Sequence, residues 1–303
     1  MKKFIGSLLV LILSFSVNVS ANEEIDTNKK ASININHSYN DVALSNVECN
    51  IYKVATLSNN GYFSISDEFK KYPIDFNKVS DTTEWYKIAD TLDSYVKVDG
   101  ISPYKTGKTS QSGIINFSEL EVGLYLVNID NSNFKNETVK TRPFLVSVPS
   151  VNDKGDLIYN IDITSKSEGT DSKNNTLKVN KIWLNDDELK VRPDYIKVNL
   201  YKNGEKFDSV ILNEKNNWTH IWELLDGNFE WTVIEEKVPN DYRVSYENYE
   251  GITTITNTYL NGESINTDSI QSSNPAKTGD KSLVLPCIML GVGLILLFVS
   301  RKK

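Results

Sequence analysis

Short runs in which apolar and polar residues alternate, separated by Asn, Gly and Asp turns, fill most of this chain between residues 31 and 259. A strand with one buried face has a period of two, whereas an amphipathic helix needs apolar residues three and four apart. The two-residue period is visible in Ser32–His37, Val47–Val54, Gly123–Ile129, Pro143–Val148 and Leu157–Thr164. It returns in Leu177–Trp183, Tyr195–Lys202, Phe229–Glu235 and Thr253–Tyr259. One stretch breaks it. Trp85, Ile88, Ala89, Leu92, Tyr95 and Val96 follow helical spacing, and Asp81 with Glu84 three positions later reads as a capping box. Closely spaced strands joined by turn residues predict an all-β-dominated protein made of β-sandwiches, the first with an inserted helix.

The two ends are of a different kind. Lys2 and Lys3 precede an apolar run from Phe4 to about Phe15, and Val19-Ser20-Ala21 closes it with small residues where a signal peptidase needs them. Residues 1–21 are therefore expected to be a signal peptide cleaved after Ala21. At the far end Ser282 to Ser300 is uncharged, long enough to cross about 30 Å of hydrocarbon as a transmembrane helix, and is followed by Arg301-Lys302-Lys303. Asn274-Pro275-Ala276-Lys277-Thr278-Gly279-Asp280 stands just before it. This assembly resembles the sorting signal of Gram-positive surface proteins, which a sortase cuts between Thr and Gly. That resemblance implies Thr278 and Gly279 as the cleaved pair and residues 274–303 as the signal. The usual L-P-x-T-G differs here, because Ala276 falls where Pro is expected and Pro275 lies one residue early. A plain single-pass anchor is the competing reading.

Charge and cysteine usage narrow the function classes. The whole chain has 33 basic and 40 acidic residues, and loss of both ends removes six basic and one acidic, leaving 27 against 39. So acidic a body is unsuited to a phosphate-backbone partner, and no nucleic acid is expected. Two cysteines and two histidines leave little for a zinc site, haem attachment or a disulfide framework, and neither metal nor cofactor is expected. Cys287 lies in the terminal segment, so Cys49 has no intrachain partner. An exported protein without disulfides must be stabilised by other means.

Between the ends, residues 22–30 read as a flexible leader, 167–175 (SEGTDSKNN) as a linker and 260–273 as a polar stalk, leaving bodies at 31–166 and 176–259. The second body carries the more specific signal. Lys181-Ile182-Trp183, Arg192-Pro193, Asn217-Trp218-Thr219, Glu235 and Ile255-Thr256-Asn257-Thr258-Tyr259 resemble the Cna protein B-type domain over the body's whole length. The resemblance implies an immunoglobulin-like sandwich and, as in many members, a self-formed isopeptide bond between Lys181 and Asn257 assisted by Glu235.

The residues support that reading independently. Lys181 shares a row with Leu177, Val179 and Trp183; Glu235 with Phe229, Trp231 and Val233; Asn257 with Ile255 and Tyr259. Each polar residue thus falls on its strand's apolar row. Buried together, a Lys loses and a Glu gains pKa, so neutral amine and protonated acid can coexist. The amine then attacks the amide carbon while the acid polarises the carbonyl and moves the proton. The competing reading is that Glu235 and Asn257 merely end their strands in solvent.

The first body resembles, more loosely, the N-terminal domain of Gram-positive pilin subunits. Asn50-Ile51-Tyr52-Lys53-Val54-Ala55, Gly61-Tyr62-Phe63, Gly123-Leu124-Tyr125-Leu126-Val127 and Pro143 to Pro149 carry the likeness. It implies a second sandwich in tandem and, in the stretch Leu157 to Lys166, a departed form of the pilin motif whose Lys accepts the next subunit. Lys166 is the candidate acceptor, and an exposed linker lysine is its plainer reading. No isopeptide bond is expected in this domain, because His37 stands on the opening strand's inward row where a reactive Lys would be. The acidic run Asn185-Asp186-Asp187-Glu188 lacks calcium-loop spacing and reads as a solvated turn. Taken together these features imply a structural, non-enzymatic surface protein: an ancillary or basal pilin subunit. Its expected partners are a sortase and peptidoglycan or other pilin subunits, with membrane contact only through the C-terminal segment. The alternative is a wall-anchored adhesin binding a host ligand through the region Lys53–Gln111.

Overall fold

The computed structural model describes residues 24–79, 81–152, 154–171, 174–187 and 189–261. Ala21, Thr278, Gly279 and the segments expected as signal peptide and sorting signal lie outside the described residues. No helix among the described residues is long and apolar enough to cross a membrane.

The first domain is a sandwich whose strands follow the period-two pattern. One sheet joins β1 (Ala31–Asn36) to β5 (Ile114–Leu120) and β9 (Asn160–Thr164), with β1 central. The facing sheet contains β2 (Glu48–Leu57), β3 (Phe63–Ile65), β4 (Lys105–Lys108), β6 (Gly123–Ile129) and β8 (Phe144–Val148). Alternation decides which residues meet between them: Ile33 and Ile35 are fully buried against Phe117, Tyr125, Val127 and Ile161. The first and last strands, β1 and β9, run parallel, with Ile35 opposite Ile163.

Two expectations for this half need correction. The leader is tied down from residue 25: Ile25 is buried in the core, and the Asp26 N–H donates to the Tyr159 hydroxyl at 2.9 Å. The segment read as a linker is, over Ser167–Asp171, a strand (β10) that pairs antiparallel with β7 (Glu137–Thr141). Gly169 permits this. A Cβ there would sit 2.3 Å from the Tyr39 hydroxyl, which lies across the strand and donates to Glu137 at 3.0 Å.

Helix α1 (Thr82–Asp99) begins where the sequence places it, with the Asp81 carboxylate accepting from the Glu84 N–H at 2.9 Å. It ends at Gly100, whose φ of 62° is the left-handed conformation that favours glycine. Ala89, Leu92, Tyr95 and Val96 pack against Tyr52, Leu124, Leu126 and Leu145 on the outer face of the β2/β6/β8 sheet.

The second domain is the expected immunoglobulin-like sandwich. One sheet runs in the order β14 (Thr219–Asp226), β11 (Asn174–Leu184), β17 (Ile252–Tyr259), β16 (Tyr242–Tyr249). The other runs β13 (Glu205–Asn213), β12 (Tyr195–Lys202), β15 (Trp231–Glu235). Again the first and last strands, β11 and β17, are parallel neighbours. Their core of Val179, Trp183, Val198, Leu200, Val233, Val244 and Ile255 is continuous, through Tyr246 and Tyr95, with the apolar face of α1. The helix is thus shared by both domains.

Candidate functional site

In the parallel β11–β17 pair, Lys181 stands opposite Ile255 and Trp183 opposite Asn257. Lys181 and Asn257 are therefore diagonal neighbours on one face of one sheet, within reach of a long side chain. Glu235 ends β15 in the facing sheet, opposite Val198. The structure brings the three together. Lys181 Nζ lies 3.7 Å from Glu235 Oε2, and Asn257 Nδ2 donates to Glu235 Oε1 at 3.1 Å. The lysine and glutamate side chains are wholly withdrawn from solvent, as is Asn257.

Their surroundings set their charge states. Burial brings the Lys181 amine down to about 7, against the opposing pull of the Glu235 carboxylate, and burial likewise raises the Glu235 carboxyl above its ordinary range. Burial thus pushes both groups toward their uncharged forms, an amine with a free lone pair and a protonated acid. Trp183 lines the site, its ring 4.2 Å from Nζ, and is wedged edge-on between Trp218 and Tyr242. Glu235 Oε2 and Asn257 Oδ1 lack hydrogen-bond partners. A half turn of the Asn257 amide, which changes no packing volume, would present Oδ1 to a protonated Glu235. A buried acceptor would then gain its donor, and the amide carbon would be polarised toward attack.

Beside the site lies a pair that the sequence did not reveal. Asp186, expected in a solvated turn, is buried and held by Arg192 (2.6 and 3.1 Å) and by the Tyr242 hydroxyl (2.7 Å). Arg192 holds its carboxyl below the ordinary range. The guanidinium lies 5.5 Å from the Trp183 ring, so the Asp186–Arg192 pair fixes the indole that roofs Lys181. The signal was present but faint, since an Asp followed six residues later by Arg-Pro looks like any surface turn.

The corresponding place in the first domain is occupied differently. His37, buried just beyond β1, meets Ser165 beyond β9, with Nδ1 and Oγ 2.7 Å apart. Neither can form an amide. Lys166, the candidate acceptor, is exposed between β9 and β10 and is not brought near the Lys181 group. In the 53–111 region, which the adhesin alternative takes as its binding face, α1 packs on the second domain.

Comparison with known proteins matches both halves. Residues 23–167 match the family model described as Gram-positive pilin subunit D1, N-terminal domain, and residues 177–258 that of the Cna protein B-type domain. A curated relative, the collagen adhesin of Staphylococcus aureus, is 30% identical over 128 residues. The aligned part is 42% of this chain and spans only 10% of that protein. Among solved structures, the full-length major pilin SpaD of Corynebacterium diphtheriae is 16% identical, covering 77% of this chain and 65% of that one, with a TM-score of 0.33. A single B repeat unit of the S. aureus collagen-binding surface protein is 21% identical, covering 76% of this chain and 98% of that one, with a TM-score of 0.27.

Proposed function

Because residues 23–167 match the model of the Gram-positive pilin D1 domain and residues 177–258 that of the Cna protein B-type domain, we propose that this chain is a structural subunit of the cell surface, stabilised by a self-formed bond between Lys181 and Asn257. The observation that carries the crosslink is the convergence of Lys181, Glu235 and Asn257 in a dry interior, on strands that are the domain's entry and exit. Neutral Lys181 Nζ attacks Asn257 Cγ. The Nζ–Cγ bond forms as Cγ–Nδ2 breaks, and Glu235 takes a proton from Nζ and returns one to Nδ2, which leaves as ammonia. The event occurs once per molecule and is no turnover.

Sorting of Thr278–Gly279 by a sortase would attach the chain to peptidoglycan or to other pilin subunits, with Lys166 as the accepting amine if a further subunit is added. This makes an ancillary or basal pilin the best reading. An adhesin with its ligand face in the 53–111 insertion has less support, because one side of the inserted helix is already occupied within the chain. Intact-mass measurement of the purified full chain tests the crosslink. The expected result is a deficit of one ammonia, lost on replacing Asn257 with Ala; a mass equal to the sequence value removes the proposal.

A further inference from the structure

Glu235 lies on β15, an edge strand whose one partner is β12. The flanking Glu236 N–H points to β12, donating to Lys197 O at 2.9 Å, so the Glu235 N–H points the other way, out of the sheet. A buried N–H without an acceptor costs roughly as much as a lost hydrogen bond. Here the acceptor is the Tyr246 hydroxyl at 3.2 Å. The backbone that carries the acid is thus held by one side chain of the opposite sheet.

Tyr246 is in turn held from the first domain. It lies wholly buried on β16, the edge of its own sheet, and its ring meets Tyr95 of α1 edge-on at 5.8 Å between centroids. The outward N–H groups of this edge find their acceptors on the helix. Tyr246 N–H donates to Thr91 Oγ1 at 2.9 Å and Asn248 N–H to Asp90 Oδ2 at 3.0 Å. Thr91 spends its own proton on Lys87 O at 2.5 Å, which leaves its lone pairs facing β16. Asp90 is clamped by Arg142 at 2.6 and 3.2 Å, and Ser94 accepts from the Asn248 amide at 3.3 Å. Asp90, Thr91 and Ser94 are each buried, although the residues between and around them already supply the helix's apolar face.

We propose that helix α1 of the first domain positions the acid of the second domain's crosslink site, acting through Tyr246. This rests on the crosslink reading above and adds to it a dependence between domains: amide formation proceeds at full rate only once the helix has docked. Without the helix, two edge N–H groups face water, the Tyr246 ring loses its neighbour, and the Glu235 N–H loses a fixed acceptor, so the carboxyl is free to leave the line between Nζ and Nδ2.

The test is a time course of ammonia loss in full chain freshly made by cell-free translation, quenched in denaturant and read by intact mass. Protease resistance at the same time points gives the folded fraction, so that rates are compared per folded molecule. Thr91→Val keeps the shape and removes the acceptor, Tyr246→Phe removes the hydroxyl alone, and Thr91→Ser restores the acceptor. Expected are rates about three- to tenfold slower for Thr91→Val and Tyr246→Phe, with Thr91→Ser within about twofold of the parent. Parent-like rates in both slow candidates, or no rescue by Ser, overturn the inference while leaving the crosslink intact. A parent chain that never loses ammonia overturns the crosslink reading, and this inference falls with it.

Discussion

Lys181→Met is the substitution that best isolates what the proposed bond contributes. Methionine fills the same slot beside Trp183 and offers no nucleophile, and the burial that already raises the Glu235 carboxyl favours its uncharged form once the amine is gone. A link from Lys181 to Asn257 closes a loop of 76 residues, and the chain-entropy relation for crosslinks assigns such a loop about 4–5 kcal/mol of stabilisation through the unfolded state. The parent's linked side chain and the variant's methionine are both uncharged, so the loop effect, about 4 kcal/mol, is the expected difference. For a domain of this size that corresponds to a melting temperature lower by roughly 20 °C. Calorimetry of parent and variant, with intact mass on the same samples, makes the comparison. The parent should lack one ammonia and the variant should not. If the variant melts within about 5 °C of the parent while the masses differ as stated, the loop-entropy reasoning is wrong even though the bond exists.

Other outcomes follow from the same geometry. Arg142→Ala strips the guanidinium from buried Asp90 and should lower stability by about 2 kcal/mol, read as a shift in urea midpoint at unchanged slope. Burial lowers the His37 pKa from 6.5, so its contribution is fully present above pH 6.5 and declines as pH falls below that toward the folded value. Melting temperatures at pH 7.5 and 5 should differ in the parent, and by less in His37→Gln. In single-molecule pulling, the first domain should release about 45 nm of contour for residues 31–164 at ~3.4 Å per residue, while residues 181–257 release none. Extension of the second domain to full contour would refute the crosslink directly.

Much of the fold was legible because each sandwich buries one face of its own strands. Gly123–Ile129 and Tyr195–Lys202 are strands to the residue, and Lys181, Glu235 and Asn257 each lie on the inward row that alternation assigned them. What could not be read is whatever depends on a second domain. Asp90, Thr91 and Ser94 look like the solvated side of an amphipathic helix. They are buried because β16 lays its open edge against them, and no local pattern encodes a neighbour some 150 residues away. The strand at 167–171 was missed for a related reason: Ser-Glu-Gly-Thr-Asp has no strand-like alternation, and its extended form is imposed by β7 and by Tyr39 over Gly169. Tyr246 lies on Tyr242–Tyr249, a strand outside those the two-residue period picked out, and its hydroxyl's task is visible only once β15 is known to be an edge.

The parallel pairing of entry and exit strands explains why the two domains should differ under load. In each domain, tension enters at the start of the first strand and leaves at the end of the last, so the strands are pulled in opposite directions along their shared ladder. Its hydrogen bonds are then stressed together in shear, and that ladder alone resists in the first domain, where His37 and Ser165 meet without a covalent option. In the second domain, an amide between Lys181 and Asn257 would lie near the exit end of the same ladder. Force would rise along β11 as far as Lys181 and cross directly to the last residues of β17. Five strands, β12 to β16, would carry none of it. The docked helix would then have a second consequence: by fixing the β16 edge, it would hold Glu235 in register before such a bond forms, while the domain can still be pulled apart.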